Sequence, residues 1–84
     1  MAFQLYIKPK VRKQLEKLPE KDRARVVRVF EVIQDDPFSG KQLHGPRAGQ
    51  YSFRVWPYRI IYRVEKEKLL VLVIAFGHRQ GIYD

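Results

Sequence analysis

The spacing of apolar residues along this 84-residue chain predicts its first strand and its first helix. Residues 3–7 alternate between apolar and polar side chains, which predicts a short, half-buried β-strand. From Pro9 onward, apolar residues recur at helical spacing among lysines and arginines. Because proline suits the first turn of a helix and interrupts a later turn, we expect an amphipathic helix over residues 9–18 that stops at Pro19.

A longer helix is predicted over residues 20–34, because its apolar residues form one stripe: Val26, Val29, Phe30 and Ile33. Pro37 follows this helix and ends it, since the residue before a proline disfavours the helical conformation. Residues 37–50 contain three of the five glycines and two prolines, a composition typical of a loop. Leu43 is the residue expected to anchor this loop.

Three strands are predicted in the second half of the chain. Residues 51–56 and 58–65 are rich in aromatic and β-branched side chains and are separated by Pro57, which predicts a hairpin with a tight turn. A charged turn at residues 65–68 leads into residues 69–76, which are all apolar. Since a strand that is apolar on both faces is typical of the centre of a sheet, we expect this strand to be central in an antiparallel sheet.

The order of these elements predicts an α+β fold, β-α-α-β-β-β, with two N-terminal helices packed on one face of an antiparallel sheet. Side chains alternate between the two faces of a strand, and we expect the bulkier set of the last strand to meet the helices: Leu70, Leu72, Ile74 and Phe76. The smaller set should leave a shallow open surface: Val71, Val73, Ala75 and Gly77. Gly77 is expected to release the strand, so that Arg79 and Tyr83 reach Arg59 over this surface.

The length and composition of the chain narrow the possible functions. Residues 1–84 are expected to form a single small domain, with room for an open groove rather than an enclosed site. The chain has no cysteine and only two histidines, so we expect neither a metal nor a cofactor. Its longest apolar run is eight residues, and no basic leader precedes an apolar stretch at the N-terminus. We therefore expect a soluble, cytoplasmic protein that does not enter a membrane.

The net charge of the chain indicates an anionic partner. The formal net charge is +8 and the sequence pI is about 10.1, which is expected of a protein that binds phosphate backbones. Acidic membranes and acidic protein partners would be attracted by the same charge, and the charge alone does not separate these partners. Five basic residues are expected to converge on the open surface: Lys41, Arg47, Arg54, Arg59 and Arg79. Guanidinium groups match phosphate oxygens and stabilise the charge of a phosphoryl transition state. The alternative is that each of these side chains is an ordinary solvated strand residue.

Several short motifs occur in an order that resembles a known family. In the second half they are Leu43-His44-Gly45, Tyr58-Arg59-Ile60-Ile61-Tyr62 and Phe76-Gly77-His78-Arg79, followed by Tyr83. Near the N-terminus, Lys8-Pro9-Lys10 and Leu15-Glu16-Lys17-Leu18-Pro19 fit the same pattern. Together these motifs resemble the RelE/ParE toxin superfamily of prokaryotic type II toxin–antitoxin systems, and they are closer to its RelE branch.

The resemblance implies a fold related to microbial ribonucleases and an endoribonuclease that cleaves mRNA on the ribosome. It also implies a cognate antitoxin, whose complex with the toxin binds operator DNA. Arg59 and Arg79 match the family arginines that grip the scissile phosphate, and Tyr83 matches a terminal tyrosine that serves as general base. The second strand departs from the family pattern, because residues 50–53 lack the lysines of ribosome-dependent members and Arg54 is the nearest cation. The chain also ends at Asp84, without the C-terminal helix of many members.

In the implied reaction, the RNA 2′-hydroxyl attacks the adjacent phosphorus without a metal. Tyr83 and His78 are the two candidates for the base, and histidine has the more suitable intrinsic pKa, about 6.5. His78 can share a face with Arg79 only if the strand has ended or bulged after Gly77. His44 lies in the predicted loop, where it is expected to be a surface residue that can reach over the substrate.

The aromatic residues of the hairpin can stack on bases or pack within the sheet. Packing is favoured for Tyr58 and Tyr62, whereas for Trp56, beside the turn proline, exposure to solvent decides between packing and stacking.

The sequence leaves three functions open. The first is a metal-independent endoribonuclease toxin, the second a ParE-like poison of DNA gyrase, and the third a catalytically weakened module that binds an antitoxin or nucleic acid.

Overall fold

The computed structural model describes residues 3–78, which form two helices and a five-stranded sheet. The helices are α1 (Pro9–Glu16) and α2 (Glu20–Asp35). The strands are β1 (Gln4–Ile7), β2 (Lys41–Gln42), β3 (Gln50–Val55), β4 (Tyr58–Glu65) and β5 (Leu70–His78). Short 3₁₀ turns occupy Pro37–Ser39, Gly45–Arg47 and Lys66–Lys68. None of the helices in this part of the chain is both long and apolar enough to cross a membrane.

The helix ends follow from local chemistry. Pro9 begins α1, where its missing N–H would have no helical partner in any case. Glu20 and Asp22 lie in the first turn of α2, where negative charge is stabilised by the helix dipole. Asp36 caps the end of this helix, and its N–H closes the final turn on the carbonyl of Val32, directly before Pro37. Both helices therefore lie close to the predicted ranges.

The strand order is β1-β5-β4-β3-β2, so β5 lies inside the sheet as predicted. The pairs β2–β3, β3–β4 and β4–β5 are antiparallel, but β1 pairs with β5 in parallel. The α+β prediction is confirmed, whereas the sheet is mixed rather than wholly antiparallel. A turn fixes the direction of strands that follow each other closely, and no turn joins β1 to β5, which are separated by both helices and three strands.

The hydrophobic core lies between the two helices and one face of the sheet. Helix residues Val11, Leu15, Val26, Phe30 and Ile33 contribute one side of it. The sheet contributes the other side: Val55, Ile60, Tyr62, Val71, Val73 and Phe76. Burial of such a side chain stabilises the fold by about 1.5–3 kcal/mol each. The predicted apolar stripe of α2 is thus the stripe that packs on the sheet.

The predicted orientation of β5 is wrong in its first half and correct at Phe76, which belongs to the helix-facing core. Val71 and Val73 have 0% exposure and belong to the helix-facing core, while Leu70 and Leu72 are only half-buried. The cause is a bulge: Ile61 pairs with Ala75 but Tyr62 pairs with Val73, which leaves Ile74 as an extra residue. In a regular strand, residues three apart such as Val73 and Phe76 lie on opposite faces. The extra residue reverses the alternation, so both of them face the helices. A strand that is apolar at every position contains no sequence signal for such a reversal.

The loop after α2 is fixed to the sheet by a buried tyrosine. The Tyr62 hydroxyl donates a hydrogen bond of 2.7 Å to the carbonyl of Pro37. Gly40 passes so close to this ring that an added Cβ would overlap the Tyr62 hydroxyl and lie 3.0 Å from the carbonyl of Ser52. The ring of Tyr51 stacks on Tyr62 with centroids 5.6 Å apart. These contacts place Lys41, the next residue, at the edge of the sheet.

Candidate nucleic-acid interface

The face of the sheet that the helices leave uncovered carries the basic residues of the hairpin. We call it the open face. Arg54 on β3 and Arg59 on β4 are direct register partners, and they alternate with Val55 and Ile60, which belong to the core on the other face. Directly opposite residues in an antiparallel pair have Cβ atoms about 4.5–5.5 Å apart. The structure therefore brings these two predicted binding residues together on one surface.

Lys41 joins the same group from the short strand β2. Its register partner is Ser52, which is buried and lies two residues before Arg54 on the same face. A groove of about 260 Å³ is lined by Ser39, Gly40, Lys41, Ser52, Phe53, Arg54 and Arg59. Three of these lining residues are cationic and none is acidic. We call this the basic groove, and its chemistry suits a phosphate group rather than a neutral ligand.

Arg59 is held more firmly than Arg54. It is half-buried between β3 and β5, whereas Arg54 is exposed. Its register partner on β5 is Gly77, and a Cβ on that glycine would meet no atom within 4 Å. The space beside β5 is therefore open at Gly77, opposite Arg59. Gly77 does not release the strand as predicted, because pairing continues through Gly77 to His78.

The structure separates His78 from the basic groove. His78 pairs with Tyr58, and the two rings lie 5.2 Å apart. Tyr58 also stacks on Phe76 of the core, and its hydroxyl donates a 2.8 Å hydrogen bond to Asp22 of α2. This hydrogen bond is the main cause of a raised pKa of Tyr58. His78 thus lies at the helix-side face of the sheet, while Arg59 lies on the open face.

His44 and Arg47, the loop residues predicted from the sequence, lie along the same sheet but away from the basic groove. Arg47 donates a 3.2 Å hydrogen bond to the side chain of Gln50, the first residue of β3. His44 is exposed and lines a shallow depression with Pro46, Arg47 and Gln50. Gln50 precedes Arg54 by four residues, or about 13 Å of strand. These residues extend the surface rather than the groove itself.

Arg63 is a basic residue that the sequence-based prediction missed. It is exposed on β4, four residues after Arg59, and its register partner is Gln50. Residues four apart in a strand share a face, so the alternation that placed Arg59 also pointed to Arg63. Arg63 extends the positive charge of the open face from Arg59 towards Gln50, whose side chain accepts the hydrogen bond from Arg47. Two other predicted residues, Arg79 and Tyr83, lie outside the described part of the chain.

Within residues 3–78 the structure contains no cluster of three or more His, Asp or Glu side chains placed to hold a metal ion. The charged groups described on the open face are lysine and arginine side chains that project from the strands of the sheet. The fold and the groove together define a small α+β protein with an electropositive sheet surface whose chemistry suits an anionic ligand.

Comparison with known proteins identifies the family. The sequence model of the ParE toxin of type II toxin-antitoxin systems matches residues 5–83. Toxin RelG of Mycobacterium tuberculosis is 33% identical over 85 residues, which cover 99% of this chain and 98% of RelG. The chain therefore belongs to the ParE toxin family of type II toxin–antitoxin systems, and the predicted membership of the RelE/ParE superfamily is confirmed.

Solved structures agree with this assignment. The toxin–antitoxin complex RelBE of Mycobacterium tuberculosis contains a chain that is 31% identical, with a TM-score of 0.84, and the match covers 94% of this chain and 100% of that one. The isolated RelE toxin of E. coli is 25% identical with a TM-score of 0.78, over 92% of this chain and 84% of RelE. The protein is accordingly the toxin of a type II system.

Proposed function

We propose that this toxin is a metal-independent endoribonuclease that cleaves mRNA on the ribosome. The observation that carries the proposal is the pairing of Arg54 with Arg59 directly across two strands, beside Lys41. Like charges in this arrangement destabilise a sheet, so their presence favours a site that is completed by an anion. The phosphate of RNA is the anion that the basic groove fits, and the similarity to RelE and RelG supports the choice of substrate.

In the proposed reaction, the 2′-oxygen of the RNA forms a bond to the adjacent phosphorus and the bond from phosphorus to the 5′-oxygen breaks. The products are a 2′,3′-cyclic phosphate and a free 5′-hydroxyl. Arg59 contacts the phosphate oxygens and stabilises the added negative charge of the transition state. It is not the acid, because a guanidinium group does not release its proton in this pH range. Arg54 and Lys41 hold the phosphate and its neighbour in the groove.

The proposal assigns proton transfer to the C-terminal segment. Tyr83 is the proposed base that takes the proton of the 2′-hydroxyl, solvent water gives a proton to the departing 5′-oxygen, and Arg79 is a second clamp on the phosphate. His78 is the less suitable base on geometry, because its ring contacts Tyr58 at the helix-side face, away from Arg59. In this scheme residues 1–84 act as one toxin domain in the cytoplasm. A cognate antitoxin neutralises the domain, and the complex of the two proteins binds operator DNA.

Induced expression in a bacterial host tests the function. We expect growth arrest and new mRNA 5′ ends inside translated frames, mapped by sequencing. The 5′ ends should carry a hydroxyl group, and purified toxin should cleave ribosome-bound mRNA equally well in the presence of a chelator. A DNA-damage response without new mRNA ends would instead indicate a gyrase poison.

The matched pair Arg59→Ala and Arg28→Ala links the activity to the basic groove. Both changes remove one positive charge, but Arg28 lies on the exposed side of α2. Loss of a preorganised charge donor typically lowers a rate by about 10²–10³-fold, so Arg59→Ala should lose mRNA cleavage while Arg28→Ala keeps it. Equal cleavage by the two variants, at equal soluble expression, would contradict the role of Arg59.

A further inference from the structure

Trp56 occupies the tip of the β3–β4 hairpin, next to the basic groove. It follows Arg54 by two residues and precedes Arg59 by three, so it stands just beyond the paired arginines. Its side chain is 55% exposed, the largest fraction among the exposed large hydrophobic residues of the described part of the chain. A single exposed aromatic residue is common on protein surfaces and indicates nothing by itself. Its place at the end of the hairpin, next to the paired Arg54 and Arg59, is the observation that suggests a function.

The hairpin tip is tied to α2 from both sides of the turn. Arg25 donates a 2.7 Å hydrogen bond to the carbonyl of Trp56, and Arg25 also lies 3.8 Å from Asp22. Asp22 in turn accepts the hydrogen bond from Tyr58, whose ring stacks on Phe76 of the core. Helix α2 thus holds residues on both sides of Pro57. An aromatic ring on a restrained turn loses less freedom on binding than one on a mobile loop.

We propose that Trp56 is a stacking platform for a base of single-stranded RNA whose phosphates lie in the basic groove. The inference rests on the proposed function and adds to it the residue that receives a nucleobase. Proteins that bind single strands combine a cationic groove for the backbone with aromatic rings for the bases. Arg54, Arg59 and Lys41 supply the first part, and the two arginines lie two and three residues from Trp56 along the hairpin. Trp56 supplies the second part, and stacking on it tolerates any base sequence.

Trp56 is the only tryptophan in the chain, so intrinsic tryptophan fluorescence reports on this residue alone. The probe is a single-stranded RNA of about ten nucleotides, within the usual site size for such proteins, with 2′-O-methyl groups that prevent attack by the 2′-oxygen. We expect saturable quenching of Trp56 emission at the same RNA concentrations that raise the anisotropy of a labelled oligonucleotide. An abasic oligonucleotide of equal length and charge should bind more weakly and leave the emission nearly unchanged.

Two variants separate stacking from a structural effect. Trp56→Leu should weaken RNA binding about tenfold, whereas Trp56→Phe should recover most of the loss because a ring is retained. Tyr6→Leu is the control, since Tyr6 is 50% exposed but lies on β1 at the other edge of the sheet. Circular dichroism and thermal melting verify that each variant is folded. The hydrogen bond from Arg25 uses the main-chain carbonyl and survives every change at Trp56.

The outcomes distinguish this inference from the proposed function. Wild-type protein that cleaves mRNA, together with RNA binding that leaves Trp56 emission unchanged, overturns the stacking role and leaves the nuclease in place. Quenching by RNA but not by the abasic oligonucleotide supports the stacking role even if no cleavage is found. Equal quenching by both oligonucleotides, or equal RNA affinity of the wild type and Trp56→Leu, overturns it. Quenching by an acidic protein alone, with no RNA binding at low salt, also overturns it.

Discussion

In the proposed function, the pair Arg54 and Arg59 gives up some stability of the sheet for phosphate binding. Because they repel each other across β3 and β4, removing one charge should relieve the strain between the strands. We expect Arg54→Gln to raise the free energy of unfolding by several tenths of a kcal/mol at low salt and to lower RNA affinity. Thermal denaturation at two salt concentrations measures this, since salt screens the repulsion and should shrink the gain. Arg28→Gln, with the same loss of charge, should not stabilise the protein.

Tyr62 is the residue whose ionisation should limit stability at high pH. Burial raises the pKa of its hydroxyl from the usual 10.0 to about 12. Below pH 10.0 the group is neutral in both states, and between these values the unfolded chain loses the proton while the folded protein keeps it. Its contribution to stability is therefore complete below pH 10.0 and is lost as the pH rises towards about 12.

The comparison of Tyr62→Phe with the wild type tests this pH dependence. The variant should be less stable at neutral pH, because it loses the hydrogen bond to Pro37, but its stability should fall less steeply above pH 10.0. Tyr6→Phe removes an exposed hydroxyl and should keep the wild-type slope. Parallel curves for the wild type and Tyr62→Phe, measured by urea denaturation at a series of pH values, would exclude Tyr62 as the titrating group.

At the scale of elements, the loop after α2 depends on the close contact between Gly40 and Tyr62. A Cβ at Gly40 would overlap the Tyr62 hydroxyl and press on the carbonyl of Ser52. We expect Gly40→Ala to destabilise the fold by about 1–3 kcal/mol and to displace Lys41 from the groove. In a Tyr62→Phe background the cost should be smaller, since the nearest atom is then absent. Additive effects in this double-mutant cycle, measured by urea denaturation, would contradict the proposed contact.

At the scale of the whole molecule, the excess of positive charge should govern the RNA binding that the proposed function requires. The open face presents Lys41, Arg54, Arg59 and Arg63 along neighbouring strands. If each contacts one phosphate, the logarithm of affinity should fall with the logarithm of salt concentration with a slope of about −3. Anisotropy titrations measure the slope, and Arg63→Gln should make it shallower by about 0.7. Arg28→Gln should leave it unchanged, and a slope near zero would exclude phosphate contacts as the source of affinity.

The sequence by itself determined the features that depend on local periodicity and turn chemistry. The apolar stripe of α2 could be read directly, because a helix repeats its faces at a fixed spacing. The hairpin followed from Pro57, and its two-residue turn pairs Arg54 with Arg59. The family resemblance also lay in short motifs that are visible without a structure. These features need no information from distant parts of the chain.

Only the tertiary structure decided which face of β5 meets the helices and how β1 joins the sheet. The bulge at Ile74 reverses the alternation of β5, and an apolar residue at every position conceals such a reversal. The parallel pairing of β1 with β5 joins residues from opposite ends of the chain, so no local turn specifies it. The separation of His78 from Arg59 follows from the same shift, since strand register places a side chain above or below the sheet. A sequence pattern shows that side chains alternate along a strand, but contacts with the neighbouring strands and helices decide which alternating set faces the core.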